Sequence, residues 1–142
     1  MFNSNNTTYI LTILEAIEKV FYYTENFKND EEFFYANKQL NFNATVNLLI
    51  AIGEENKKIE LGLKTSTKIN WQNISAMRDK ISHNYRGIDE SMVWDIVQNY
   101  LGILKILLIE MLPKIDNHKI YIKEALKSEY YEDLKYLEEL LK

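Results

Sequence analysis

The sequence predicts an all-α protein, an antiparallel up-and-down bundle of four principal helices with a C-terminal helical extension. Apolar residues recur at steps of three and four along nearly the whole chain, which is the period of an amphipathic helix. Four glycines and one proline leave few places where a helix must stop. With 142 residues, 46% of them hydrophobic, the chain can bury one sizeable core, so we expect a single domain over residues 1–142.

The first half of the chain contains two long predicted helices. The first starts at Asn6 or Thr7, whose side chains can accept a hydrogen bond from an unpaired backbone N–H, and it runs to about Phe27. A short aromatic turn follows over residues 31–35, and a long helix covers about residues 38–63. The residues expected on its buried side are Leu40, Val46, Leu49, Ile50 and Ile59.

The third predicted helix follows the clearest loop, residues 64–68. Asn70 is placed to cap this helix, which should end near His83. Asp89 or Ser91 can then cap a fourth helix.

The fourth helix runs to about Leu112, where Pro113 stops it, and it is apolar on more than one face. A helix that is apolar all round must be covered all round, so either the tail or a second subunit covers it. The tail, residues 117–142, is predicted to be a last amphipathic helix.

Composition excludes several classes of function. The absence of cysteine excludes disulfides, thiol nucleophiles and Cys-based zinc sites, and the two histidines, His83 and His118, are too few for a histidine-rich metal site. The net charge of −4 argues against broad attraction to nucleic acid but allows a local basic cleft. No signal peptide or bilayer-spanning stretch is present, so we expect a cytoplasmic protein without membrane contact.

A histidine lies among cations at the predicted end of the third helix, in the run 77–87. A lone helical histidine is more often structural than functional. Arg78 and His83 are five residues apart and therefore roughly 140° apart on an ideal helix. A joint site thus needs a distorted helix end or a second copy of the chain related by a twofold axis. Asp79, four residues before His83, can orient the imidazole and raise its pKa, or it can form a solvent-exposed contact of little consequence.

These residues carry a specific resemblance. The spacing Arg78-x4-His83-x-Tyr85 resembles the signature of the HEPN superfamily, and Gly-Ile-Asp-x-x-x-Val-Trp at 87–94 resembles its HepT-like branch. Ile-Gly-Glu at 52–54 and Ile-Asn-Trp at 69–71 are similar to other family stretches in the same order. The resemblance covers about residues 8–112. It fails at residues 41–43, where Asn-Phe-Asn replaces the expected acidic and small residues, and it does not extend to the tail.

The resemblance implies a metal-independent endoribonuclease that acts as a homodimer, with the two Arg–His motifs meeting in one cleft. Arg78 and His83 would be catalytic and Asp79 would support them, with no metal and no cofactor. RNA would be the substrate, cleaved through attack by its 2′-hydroxyl, and DNA would resist because it lacks that nucleophile. Glu54 and Glu55 face either the cleft or solvent.

The resemblance also implies a partner. HepT-like proteins are toxins of type VII-like toxin–antitoxin pairs, neutralised by a cognate minimal nucleotidyltransferase antitoxin that transfers AMP to the motif tyrosine, here Tyr85. The plainer interpretation is that Tyr85 packs at the helix end. Two other hypotheses remain: a catalytically inactive HEPN helical module that binds a nucleotidyltransferase, and an all-α scaffold with an accidental motif.

Overall fold

The prediction of an all-α protein is confirmed. The computed structural model describes residues 1–83 and 87–142, and of Ser82 and His83 it describes only the backbone. Within these residues there is no β-strand, and the α-helices are α1 (Asn5–Thr24), α2 (Asp30–Tyr35), α3 (Leu40–Asn56), α4 (Leu61–Thr65), α5 (Trp71–His83), α6 (Glu90–Asn99), α7 (Leu101–Met111) and α8 (His118–Ala125). Segments of 3-10 helix cover Ala36–Gln39, Leu112–Lys114 and Glu129–Leu141.

Helix α1 lies at the centre of the core. It packs against α3 on one side and α7 on another, while α3 also packs against α5, and α2 packs against α6. Burying a leucine or isoleucine side chain stabilises a fold by about 1.5–3 kcal/mol. Among the fully buried side chains are Ile10, Ile13, Leu14, Ile17, Leu49, Ile52, Leu63, Ile74, Ile81, Leu101 and Leu104. These contacts identify the neighbours of each helix, and the antiparallel four-helix order stays a prediction.

The predicted single helix over residues 38–63 is wrong at its C-terminal end, because the chain breaks between α3 and α4. Glu60 is extended, with φ −56° and ψ 131°. Its backbone N–H donates to Asn6 Oδ1 at 2.9 Å, and Asn6 Nδ2 donates to the Asn3 carbonyl oxygen at 2.8 Å. Asn6 therefore does not cap α1 as expected. Instead Asn3 Oδ1 accepts from the Asn5 N–H at 2.8 Å.

The start of the same predicted helix is also wrong. Asn37, Lys38 and Gln39 have φ values of 52°, 56° and 69°. Left-handed backbone is unfavourable by about 1–2 kcal/mol per residue for non-glycine residues, so α3 cannot extend backwards through this turn. Leu40, which follows it directly, is 65% exposed rather than buried. The other expected core positions of this region are buried (Val46, Leu49 and Ile59) or half-buried (Ile50).

The predicted helix up to Leu112 is bent. Asp89 caps it as expected, with its Oδ1 accepting from the Ser91 N–H at 2.9 Å. At Tyr100 the backbone leaves helical geometry (φ −121°, ψ −46°) and separates α6 from α7. Among the described residues, no single helix has the length and apolarity to cross a membrane. One pair of helical segments has the required length and apolarity when taken together, Glu90–Asn99 with Leu101–Lys114, and the two are bent by 45° relative to each other.

The tail is not the single α-helix that the sequence predicts. It consists of α8 and the 3-10 segment Glu129–Leu141, and it is attached to α1 by polar contacts. The Tyr130 hydroxyl donates to Glu15 Oε2 at 3.0 Å. Lys105 of α7 pairs with Glu18 Oε1 at 2.6 Å and lies 4.5 Å from the centroid of the Tyr136 ring. The tail therefore covers the side of α7 next to α1.

Another side of α7 remains open. Ile103 and Ile106, one turn apart, are both more than half exposed. The sequence predicts that either the tail or a second subunit covers this helix. The tail covers it only in part.

We expect Asn6→Ala to destabilise the protein by about 1–3 kcal/mol, because it removes a buried amide that accepts from the Glu60 N–H and donates to the Asn3 carbonyl oxygen. Urea unfolding followed by circular dichroism measures this change. The matched control is Asn5→Ala, since Asn5 is exposed, and it should change the stability by less than about 0.5 kcal/mol. Equal effects of the two substitutions would contradict this account of the break.

Candidate active site

Helix α5 carries the motif and has the boundaries that the sequence predicts. The Asn73 N–H donates to Asn70 Oδ1 at 3.1 Å, which confirms Asn70 as the cap, and the helix extends to His83. Ile74 and Ile81 are buried in the core and fix the rotation of α5 about its axis. Arg78 consequently lies beside α3.

The contact between α3 and α5 is very close at Gly53. A Cβ atom added there would lie 2.6 Å from Arg78 Cγ, and closer still to Arg78 Cβ. Side-chain carbons do not approach each other this closely, so the packing of Arg78 on α3 requires a glycine at this position. Gly53 thus sets the distance between the two helices.

Two carboxylates hold the Arg78 guanidinium. Its Nη2 forms an ion pair with Glu54 Oε1, and its Nη1 donates to Asp79 Oδ1 at 2.9 Å. The hydrogen bond that Arg78 donates to Asp79 and the negative charge of Glu54 raise the pKa of Arg78 above its ordinary value, so the side chain stays charged. About a quarter of the Arg78 side chain is exposed, which leaves it within reach of a bound ligand.

Glu54 and Glu55, adjacent residues of α3, have different partners. Glu54 contacts Arg78, whereas Glu55 Oε1 pairs with Lys58 Nζ at 2.7 Å. Sequence reasoning did not assign Glu54, although the Ile-Gly-Glu stretch was the available signal. Its glycine and its glutamate both act on Arg78.

The other predicted site residues are described only in part. Asp79 contacts Arg78, while its predicted contact with His83 lies outside the described residues, as does the His83 side chain. Tyr85 also lies outside the described residues. Among the described residues, no group of three or more His, Asp or Glu side chains is placed to hold a metal ion. His118 is remote in the sequence, and its Nδ1 lies 3.2 Å from the Ile115 carbonyl oxygen.

Comparison with known families decides which group of proteins this chain resembles. The family model described as "Ribonuclease HepT-like" matches residues 13–111, which include both α3 and α5. The chain belongs to the HepT-like ribonuclease family. The predicted resemblance over about residues 8–112 is therefore confirmed, and the tail lies outside the match.

Curated relatives agree with this assignment. "Probable ribonuclease HepT" of Thermococcus cleftensis is 33% identical over 98 residues, which are 68% of this chain and 86% of the relative. "Putative RNase MJ1216" of Methanocaldococcus jannaschii is also 33% identical over 98 residues, covering 68% of this chain and 78% of the relative.

A longer relative matches through part of its length. "Gamma-glutamylcyclotransferase and putative RNase MJ0434" of Methanocaldococcus jannaschii is 28% identical over 112 residues, or 78% of this chain. The HepT-like chain spans about half of that relative, 49% of its length. No solved structure matches the chain at a comparable level of significance.

We expect Gly53→Ala to destabilise the HepT-like chain by about 1–3 kcal/mol, because α5 must move away from the added methyl group. This loss outweighs the gain of up to about 1 kcal/mol that alanine normally gives over glycine in a helix. The control is Gly102→Ala, where an added Cβ meets nothing within 4 Å. That substitution should be neutral or stabilising in the same urea titration, and a destabilised Gly102→Ala variant would show that the glycine comparison does not report on Arg78.

Proposed function

We propose that this HepT-like protein is a metal-independent endoribonuclease with Arg78 and His83 as its catalytic residues. The observation that carries the proposal is the placement of Arg78, a partly exposed guanidinium fixed against α3 by Gly53 and Glu54 within the family's motif helix. The relatives from Thermococcus cleftensis and Methanocaldococcus jannaschii, named as a probable ribonuclease and a putative RNase, support the same activity.

The chemistry uses only groups that the motif supplies. The 2′-hydroxyl of RNA attacks the adjacent phosphorus, the bond from phosphorus to the 5′-oxygen breaks, and the products are a 2′,3′-cyclic phosphate and a 5′-hydroxyl. An imidazole with a pKa near 6.5 can remove the proton of the 2′-hydroxyl or give a proton to the leaving oxygen. The planar, permanently charged guanidinium of Arg78 binds the phosphate oxygens as negative charge develops on them.

A homodimer brings the required groups together. Since α5 stays helical to His83, positions 78 and 83 of one chain lie roughly 140° apart around the helix axis. A second copy placed across a twofold axis would set the Arg78 of one subunit near the His83 of the other. The open face of α7 with Ile103 and Ile106 offers apolar surface that such a copy could bury.

The two carboxylates on Arg78 affect how RNA binds. A phosphate must share or displace Glu54 and Asp79 to reach the guanidinium, and the chain carries a net charge of −4. Nonspecific RNA affinity should therefore be weak, and binding should depend on groups close to Arg78.

We also propose that the protein is the toxin of a type VII-like toxin–antitoxin pair. A cognate minimal nucleotidyltransferase would transfer AMP to Tyr85, seven residues from Arg78 on the same segment. The added phosphate would place negative charge where the RNA phosphate must bind.

Purified protein should cleave single-stranded RNA in the presence of EDTA and leave a matched DNA oligonucleotide intact. Arg78→Ala and His83→Ala should each reduce the cleavage rate by about 100-fold or more, since each removes a group that acts in the transition state. The products should carry cyclic phosphate ends, which end-group analysis by mass spectrometry identifies.

The matched control for the histidine is His118→Ala, which should cleave at the rate of the unmodified protein. If either motif variant cleaved RNA at the original rate, the assignment of Arg78 and His83 would be wrong. No cleavage by protein whose mass shows no AMP would favour the non-enzymatic module that binds a nucleotidyltransferase.

The modification of Tyr85 has a separate test. Tyr85→Phe should retain RNA cleavage, because the hydroxyl group has no part in the proposed reaction. Incubated with the cognate nucleotidyltransferase and ATP, it should gain no AMP by intact-mass measurement, while Tyr121→Phe should gain as much as the original protein. An AMP adduct on Tyr85→Phe would assign the modification to another residue.

A further inference from the structure

A groove beside Arg78 has no assigned part in the proposed cleavage of RNA. It lies between α5 and the segment containing the end of α3 and α4, and it is an open cavity of about 420 Å³. The residues that line it include Asn56, Lys64, Trp71, Gln72, Ser75 and Asp79. A neighbouring cavity of about 530 Å³ shares Lys64, Trp71 and Gln72, so the Trp71 side chain stands between two open spaces.

The indole of Trp71 is held in one orientation. Its Nε1–H lies within hydrogen-bonding distance of two acceptors, the Lys64 carbonyl oxygen at 3.0 Å and Thr67 Oγ1 at 3.1 Å. The ring is only half-buried, in contrast to the fully buried Phe33, whose ring packs against Phe42. A rigid, partly exposed aromatic face is the surface on which a nucleic-acid base stacks.

Lys64 supplies a positive charge at the same place. Its Nζ donates to the Asn56 carbonyl oxygen at 3.2 Å and lies 5.8 Å from the centroid of the Trp71 ring. None of the carboxylates in the described part of the chain forms a salt bridge with it, in contrast to Arg78. Partial burial lowers the pKa of Lys64, which is consistent with a cation that lacks a neutralising partner.

The side chain of Asn56 is buried beside the groove. The residue is 1% exposed and lines the smaller cavity, and its Oδ1 accepts no hydrogen bond within the described chain. A buried polar atom without a partner is unfavourable by about 1–3 kcal/mol, so such atoms are normally satisfied. Oδ1 itself has less than 1 Å² of exposed surface, so it lies behind the wall of the cavity and does not face a ligand.

The groove leads to the proposed site of cleavage. Gln72, Ser75 and Asp79 follow each other at steps of three and four, so they lie along one face of α5. From Trp71 to Asp79 the helix rises about 12 Å. Asp79 is bonded to Arg78, which places the far end of the groove next to the catalytic guanidinium.

We propose that this groove is a binding subsite for a single-stranded RNA nucleotide adjacent to the scissile phosphate. The base stacks on Trp71, and a backbone phosphate pairs with Lys64. The proposal rests on the proposed ribonuclease function and identifies how an acidic protein holds its RNA near Arg78. A partner protein docked in the same groove is the competing outcome.

The test measures binding in the absence of cleavage. The full chain carries His83→Ala, which prevents turnover, and Trp94→Phe, which leaves Trp71 as the only tryptophan. Titration with a short single-stranded oligoadenylate should quench the Trp71 fluorescence in a saturable way. In the His83→Ala protein, binding of fluorescently labelled oligoadenylate is measured by anisotropy.

Two substitutions should weaken the binding. Trp71→Leu should raise the Kd about 5- to 150-fold, the range that corresponds to loss of one stacked base. Lys64→Gln should raise it about tenfold and reduce its salt dependence, while Lys64→Arg should restore both. Thermal unfolding of each variant and of the His83→Ala protein is measured first, to show that the variant is folded. If Trp71→Leu fails to fold, Gln72→Ala replaces it, because Gln72 is exposed and should still weaken binding several-fold.

The matched control lies on α8, outside the family match. Tyr121→Leu combined with Lys123→Gln removes one exposed aromatic ring and one exposed cation, and it should leave the Kd unchanged within about twofold. Equal weakening by the control and by the groove variants would overturn the proposal, as would oligoadenylate binding that leaves the Trp71 fluorescence unchanged.

The outcomes separate the subsite from the activity. Cleavage by the original protein together with unchanged binding by the groove variants would refute the subsite and leave the ribonuclease proposal standing. Groove-dependent binding without cleavage by the original protein would refute the activity and retain the RNA subsite. Groove variants that bind RNA normally but lose binding to the cognate nucleotidyltransferase would reassign the groove to the partner protein.

Discussion

The close packing of α3 on α5 at Gly53 is the constraint on which the rest of the site depends. No side chain larger than hydrogen fits between α3 and Arg78, so the arginine is held where Glu54, one residue further along α3, can pair with it. The fully buried Ile74 and Ile81 keep that face of α5 turned towards α3, and Ile52 does the same for α3. The same packing of α3 on α5 that forms part of the core therefore also sets the geometry of the site.

Two cations near the site, Arg78 and Lys64, differ in how they are neutralised. The chain is acidic overall, and Arg78 is paired with two carboxylates, whereas Lys64 in the neighbouring groove forms no salt bridge with the described residues. An enzyme with this arrangement gains little from long-range attraction to RNA and depends on short-range contacts. In the proposed mechanism, the RNA first binds in the groove through Lys64, which forms no salt bridge with the described residues. Its phosphate then displaces the carboxylates from Arg78.

The tail adds a layer that the family match does not include. Glu15 is a buried acidic residue of α1 that forms an ion pair with Lys19 of the same helix at 2.7 Å and accepts a hydrogen bond from Tyr130 of the tail. Glu18, whose side chain is 17% exposed, forms an ion pair with Lys105 of α7. Burying a carboxylate is tolerated only when it is paired and hydrogen-bonded, so Lys19 and Lys105 balance the two charges while the tail supplies a hydrogen bond to Glu15. The tail leaves Ile103 and Ile106 exposed, and the surface that the proposed dimer would use is therefore not covered by the chain itself.

The sequence by itself determined the helical class, the span of α5, the caps at Asn70 and Asp89 and the residues of the motif, because these depend on hydrophobic period and on hydrogen bonds between residues close in sequence. Only the tertiary structure decided where the long helices break and which groups meet at the site. Glu60 leaves the helix for Asn6, and Glu54 pairs with Arg78, across 54 and 24 positions of sequence. Such contacts depend on how whole helices pack, and neither local propensity nor periodicity contains that information.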